Sequence, residues 1–344
     1  MDVAVCSAVE APICRSTRVV LVRCSNRLRA LFFRFLCGAL PVLFVSASEM
    51  AYADATPQSS LKSPPRTGWS IRCQPARLLN GIPVLFRVKP PVKLNSLHGS
   101  WIGHDFTFAF DDSTRTWFAL AGVTLDTAPG DYPLALEAEN VKGEQLTFEH
   151  TFHVFQAKHL SVALSVPKKY VEPDPQQLEE IKQEETLKHD IFTKSSADRV
   201  WSGRFSPPVM AATSDRFGTE RKFNGTVQSV HQGLDYRAGA GTPVKAINAG
   251  TVILAQPLFF EGNCVVLDHG QGLLSLYLHL SRIDVKEGDA ARRGQKIALS
   301  GATGRATGAH LHLAVRWQGN YLDPAVLLSL PLPELRGKSK PSTQ

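Results

Sequence analysis

Between Trp201 and Asp323 glycine interrupts the chain every few residues, and this punctuation limits the fold more than any other feature of the sequence. A glycine inside a helix costs about 1 kcal/mol relative to alanine, so repeated glycines leave room only for short elements. The apolar runs between them, Gly250 to Ala255, Cys264 to Asp268 and Leu274 to Leu278, have strand composition and turn signals at their ends. Residues 201–332 are therefore expected to form an all-β domain built from two or more antiparallel sheets.

A second β-rich region precedes it. From residue 71 to 157 short apolar runs, such as Pro83 to Val88 and Phe106 to Phe110, alternate with turn signals at Asp111-Asp112 and Pro129-Gly130-Asp131. Roughly seven strands at this spacing suggest a small β-sandwich of immunoglobulin type. His98, His104, His150 and His153 are scattered through it without a carboxylate or cysteine at ligand spacing. Residues 158–200 form a connector. There Pro173 and Pro175 break the chain, and Gln176 to Lys194 carries Leu178, Ile181, Leu187 and Ile191 at helical spacing among Glu and Lys. One amphipathic helix with a solvated charged face is expected. The fold class is thus mainly β: two β domains joined by a helical connector.

The N-terminus reads as an export signal over residues 1–53. Arg23, Arg27, Arg29 and Arg34 precede an apolar run from Phe35 to Ala47, and small residues at Ala51-Tyr52-Ala53 offer a cleavage site. That run is too short to span a bilayer as a helix, so no stable membrane span is expected after cleavage. Residues 54–70, with Pro57, Pro64 and Pro65, read as a flexible tether, and 333–344 as a tail. Four of the six cysteines lie in the leader. Only Cys73 and Cys264 remain beyond it, too few for a disulfide framework and expected to be unpaired thiols. The formal charge of +7 includes six arginines against three acids in residues 1–53. The remaining mild basic excess suits an acidic polymer. Nucleic acid is disfavoured, because no Lys/Arg run is interleaved with aromatics.

Three histidine clusters stand out among the eleven histidines. His231 and Asp235 are four apart, but Gly233 between them argues for an extended segment rather than a helix. His279 follows Tyr277-Leu278. His310 and His312 at i, i+2 share one face of a strand. A catalytic zinc site needs three nitrogen or oxygen ligands and one open position. His231, Asp235 and one of His310 or His312 would supply the ligands. The other member of that pair, with His279, would then be left to move a proton or stabilise an oxyanion.

The glycine framework around these clusters resembles peptidase family M23, the lysostaphin and LytM type. The likeness rests on His231 to Asp235, Gly241 to Ala246, Asp268-His269-Gly270, Leu276 to Ser281, Gly301 to Gly304, Thr307 to His312 and Asp323-Pro324, with Phe217-Gly218 and Arg221 upstream. Ala309 departs from the proline common at its position. The resemblance implies an antiparallel β fold, Zn²⁺ held by His231, Asp235 and His312, and His279 with His310 as the catalytic pair. It further implies hydrolysis of peptide cross-links in bacterial peptidoglycan by an exported protein of the periplasm or cell envelope. Some family members lack ligands and act as non-catalytic wall-binding or amidase-activating modules, but all five site residues are present here. Arg216, Arg221 and Tyr277 are candidate groove-lining residues. His269, beside Asp268 and Gly270, reads as a turn residue.

Overall fold

The computed structural model describes residues 68–225 and 227–334. The signal expected over 1–53, most of the tether and the tail from residue 335 lie outside the described residues.

Nine strands, rather than roughly seven, make up the N-terminal region. They are β1 (Ser70–Gln74), β2 (Leu78–Leu79), β3 (Pro83–Lys89), β4 (Leu94–Trp101), β5 (His104–Thr107), β6 (Ala109–Asp111), β7 (Thr116–Gly122), β8 (Gly130–Asn140) and β9 (Gln145–Phe155). The extra strands are the short β2 and the split of Phe106 to Phe110 into the ends of β5 and β6. They form a four-stranded sheet, β1-β3-β7-β6, and a five-stranded sheet, β2-β9-β8-β4-β5. The sheets meet face to face through Phe86 of β3, whose ring lies 5.0 Å from Trp101 and 5.2 Å from Phe152. Along β8 exposed Asp131, Pro133, Ala135 and Glu137 alternate with buried Leu134, Leu136 and Ala138, the pattern of a strand with one wet face.

The connector contains β10 (Ser161–Leu164) and α1 (Pro175–Phe192). Asp174 and Gln177 form a reciprocal capping box at the start of α1, satisfying two backbone donors that a helix leaves open. Leu187, Ile191 and Phe192 pack on Leu254, Leu258 and Leu276. Not all its charges face water: Lys188 Nζ lies 2.7 Å from Glu261 Oε1, and the Phe259 N–H donates to the Glu184 carboxylate at 2.9 Å. The helix is thereby tied to the hairpin that follows.

The C-terminal region contains β11 (Thr213–Asp215), β12 (Glu220–Phe223), β13 (Val227–Val230), β14 (Leu234–Tyr236), β15 (Pro243–Lys245), β16 (Gly250–Leu258), β17 (Gly262–Asp268), β18 (Leu273–Ile283), β19 (Ala290–Ala291), β20 (Lys296–Ser300), β21 (Leu311–Trp317), β22 (Asn320–Leu322) and the short helix α2 (Pro324–Ser329). Ten of these strands form one sheet with the central order β11-β14-β21-β18-β17-β16-β19, while β10, β12 and β13 form a separate three-stranded sheet. Pairing is antiparallel throughout the large sheet.

The two β regions share one hydrophobic core rather than having one each. Phe118 of β7 meets Trp201, and Phe106 of β5 meets Trp317 of β21. Polar links reinforce the seam: Arg87 Nη2 donates to the Pro331 carbonyl at 2.9 Å, and the Asp323 N–H to the Gly81 carbonyl at 2.8 Å. Cys73 and Cys264 are free thiols, the latter buried. No helix among the described residues is long and apolar enough to cross a membrane.

Candidate metal centre

Strand register puts the key side chains in one row. Asp215 of β11 pairs with Asp235 of β14, Asp235 pairs with His312 of β21, and His312 pairs with Leu278 of β18. Residues directly opposite on antiparallel strands project from the same face with Cβ atoms about 5 Å apart. Asp235 and His312, 77 positions apart in sequence, are brought together by this pairing alone. His231 reaches them from just before β14. Gly233, in the turn between, is backed by the His312 ring and leaves no room for a Cβ.

His279 would point to the opposite face if β18 continued regularly past Leu278. Instead the pairing with β17 slips between Asn263 and Val265, and His279 adopts φ 61°. A β-bulge of this kind re-aims a side chain. The result is a His279 ring 6.0 Å from His312 and 4.8 Å from His310. Left-handed backbone in a non-glycine residue costs roughly 1 kcal/mol, and residues held this way cluster at functional sites.

His231 Nε2, Asp235 Oδ1 and His312 Nδ1 form a triangle with sides of 3.1, 3.1 and 2.8 Å. All three residues are buried. The Nδ1–H of His231 donates to the Arg216 carbonyl at 2.8 Å, so its Nε2 presents a lone pair to the other two. With His312 in the tautomer that leaves Nδ1 unprotonated, three acceptor atoms face one another out of water and need a cation among them. Ligands about 2.1 Å from a tetrahedral centre stand roughly 3.4 Å apart, so the triangle, a few tenths of an ångström tighter, suits a small divalent ion. The donor set fits zinc.

His279 and His310 approach without joining the triangle. The His279 Nδ1–H donates to Thr303 O, and the His310 Nδ1–H to Gly308 O, each at 2.8 Å. Each therefore keeps a bare Nε2, and that of His310 lies 3.9 Å from Asp235 Oδ1. Burial, with the neighbouring His312 and His310 charges, pushes His279 down to about 3. Its imidazole is neutral near pH 7. Burial alone would raise the Asp235 carboxyl, but His231 and His312, which when protonated donate hydrogen bonds to it and carry charge, hold it well below the usual carboxylate range.

A supporting layer lies behind the triangle. Arg221 Nη2 donates to Asp235 Oδ2 at 2.7 Å and to Asp215 Oδ2 at 2.5 Å, and its Nε adds a third bond, to Asp215 Oδ2, at 3.0 Å. Asp215 Oδ2 also lies 3.3 Å from His231 Nδ1. Asp215 thus braces both halves of the triangle. Sequence reasoning passed over it, because an acid beside Arg216 reads as a surface pair. Its position just before Phe217-Gly218 and Arg221 was the available signal. Arg221 backs Asp235 rather than simply lining a groove. Tyr277 lines nothing: it is fully buried, and its hydroxyl accepts the Ile247 N–H at 2.9 Å. His269 is equally buried, bonded to the Ala249 carbonyl at 2.6 Å and the Ser275 hydroxyl at 2.8 Å, apart from the triangle.

A β fold of this topology carrying a buried His-Asp-His triad defines a narrow class of protein, and comparison with known proteins supplies the family. Residues 229–324 match the model of peptidase family M23. A crystal structure from Pseudomonas aeruginosa, described as peptidase M23, is 30% identical, with a TM-score of 0.54 over 73% of this chain and 95% of that one. The chain belongs to peptidase family M23. Among curated proteins it is similar to the peptidoglycan DD-endopeptidase ShyB of Vibrio cholerae, 41% identical over 117 residues, or 34% of this chain and 27% of that protein. It is also similar to the DD-carboxypeptidase/endopeptidase Mpg of Neisseria meningitidis, 40% identical over 111 residues, 32% of this chain and 25% of that one. The matched segments thus span about a quarter of those relatives.

Proposed function

We propose that this chain is a zinc-dependent endopeptidase that hydrolyses peptide cross-links of bacterial peptidoglycan. The observation that carries the reading is the convergence of three buried lone-pair donors beside two imidazoles whose Nε2 atoms are bare. The curated relatives named for peptidoglycan endopeptidase activity support the substrate class.

In this reading His231, Asp235 and His312 hold Zn²⁺. The ion supplies Lewis acidity, which makes water available as a nucleophile near pH 7 and polarises a carbonyl. Arg221 leaves Asp235 a single free oxygen, Oδ1, for the ion. His279, neutral near pH 7, accepts a proton at Nε2. Its Nδ1–H bond to Thr303 keeps that lone pair aimed at the site. His310 presents its own Nε2 to the same site and, once that atom has taken up a proton, holds the developing negative charge on the substrate oxygen or passes the proton to the leaving amine.

The remaining assignments belong to the same proposal. Residues 1–53 direct export to the periplasm or cell envelope, 71–157 form an immunoglobulin-like sandwich, 158–200 a connector and 201–332 the peptidase domain. Incubating the purified protein with cross-linked muropeptides, with and without a zinc chelator, and weighing the products tests the core of it. Chelator-sensitive conversion of dimers to monomers is expected. A protein that binds no stoichiometric zinc and leaves the dimers whole would instead be a wall-binding or amidase-activating module.

A further inference from the structure

The loop between β20 and β21 carries Thr303, the acceptor for His279, and two residues later Arg305. The Arg305 guanidinium carbon lies 4.8 Å from the Phe223 ring centroid and 4.6 Å from that of Phe260. Stacking of this kind engages the flat faces of the guanidinium and leaves its in-plane N–H donors unused. Among the described residues no carboxylate pairs with it. Glu261, the acid next to Phe260, is already engaged by Lys188. Arg305 is half-buried, and its side-chain nitrogens are not among the fully buried unpartnered ones. A partly desolvated cation with no hydrogen-bonded carboxylate of its own is costly, and two aromatic rings with the charge of Glu261, which Lys188 also engages, offset only part of that cost.

Three links place this cation beside the histidine pair. The Arg305 N–H donates to Phe260 O at 2.8 Å, while the His279 N–H donates to the adjacent Glu261 O at 2.8 Å. His279 Nδ1 in turn binds Thr303. Arg305 and His279 are therefore held by the same two segments. On the other side, Phe223 lies two residues beyond Arg221 on β12, so both project from one face of the strand. Arg221 touches Asp235. Arg305 thus bridges from the wall carrying His279 to the strand that braces the metal triangle, and the charges of Glu261 and Arg221 both act on it.

We infer that Arg305 is a substrate-carboxylate anchor, selecting cross-links whose amine side carries a free carboxylate next to the scissile amide. The inference rests on the endopeptidase reading and narrows its substrate. In a direct D-alanyl to diaminopimelate cross-link, the carbon bearing the leaving nitrogen also bears a carboxylate. That places an anion two bonds from the nitrogen. An oligoglycine bridge presents no such group at that position. The charge and planar fork of Arg305 match a carboxylate, which accepts two parallel N–H bonds from a guanidinium.

The test uses the full chain and two muropeptide dimers that differ at one place: the diaminopimelate carboxyl beside the cross-link is either free or amidated. Wild-type protein is expected to favour the free acid by about 10- to 100-fold in kcat/KM, the range of a charge-assisted hydrogen bond pair, with most of the difference in KM. In Arg305→Gln the ratio between the two dimers collapses toward one, and Arg305→Lys restores part of it. If Arg305→Gln slows both dimers while keeping their ratio, Arg305 is a packing pillar and the inference falls. Equal wild-type rates on the two dimers overturn it without need of any variant. If the wild type cleaves neither dimer, the endopeptidase reading fails and takes this inference with it.

Discussion

Replacing Asp215 by asparagine probes how the metal triangle is held without touching it. The substitution keeps shape and removes one charge. Asp215 Oδ2 accepts two Arg221 bonds, at 3.0 and 2.5 Å, and lies 3.3 Å from His231 Nδ1. A hydrogen bond to a charged acceptor is worth about 1 kcal/mol more than a neutral one, so the two Arg221 bonds lose about 2 kcal/mol between them. Asp215 keeps 23% of its side chain in solvent, which screens part of that loss. Only the share transmitted through Arg221 to Asp235, and directly to His231, reaches the metal. A cost of about 1–2 kcal/mol in zinc binding follows, or roughly 5- to 30-fold in Kd, close to the tenfold to hundredfold usual for residues behind metal ligands. Competition of apo-protein against a fluorescent zinc chelator measures it independently of turnover. Arg221→Lys should fall on the same side, since an ammonium cannot bridge two carboxylates in the plane of a fork. A Kd within twofold of wild type for folded Asp215→Asn would refute the bracing role.

Other outcomes follow from the same geometry. His279→Ala should retain stoichiometric zinc yet lose at least a hundredfold in turnover; an unchanged rate removes His279 from the chemistry. Gly122→Val should lower stability by about 1–3 kcal/mol, because a Cβ there meets Leu322 Cδ1 at 2.6 Å and Trp317 Cε3 at 3.0 Å; an unaltered Tm would mean that the seam between the β regions yields. Burial pushes His269 from 6.5 down to about 4, so the unfolded chain binds this proton more tightly. The stability it contributes is complete above pH 6.5 and is lost as pH falls through 4, by about 3 kcal/mol. Denaturant melts at pH 7 and pH 4 should show this slope, and His269→Gln should lack it; equal slopes in the two proteins would sink the assignment.

Much of the candidate site was legible because its parts are local in sequence. His310 and His312 declare a strand face by spacing, and Gly233 rules out a helix between His231 and Asp235. What could not be read was whatever depends on pairing between distant strands. The row Asp215, Asp235, His312 exists only once β11, β14 and β21 are in register. The turn of His279 into the site needs a bulge in β18 that no local residue announces. The strand-rich composition and the connector helix were evident from periodicity. The division into two β regions hid their common core, since Phe118 and Trp201 carry no mark in sequence of facing one another. Tyr277 illustrates the converse. Its place beside His279 in sequence suggested the groove, yet strand alternation turns it into the core, where its hydroxyl caps a backbone amide.

The fused interior has a mechanical corollary. Because Trp201, Trp317 and Leu322 are covered by β5 and β7 rather than by their own sheet, any swing of one half against the other would wet large aromatic surfaces. Hinge motion at that seam is therefore suppressed. Whatever the leading sandwich grips is delivered to the histidine cluster at a fixed bearing, and an excised catalytic half would begin life with a sticky flank.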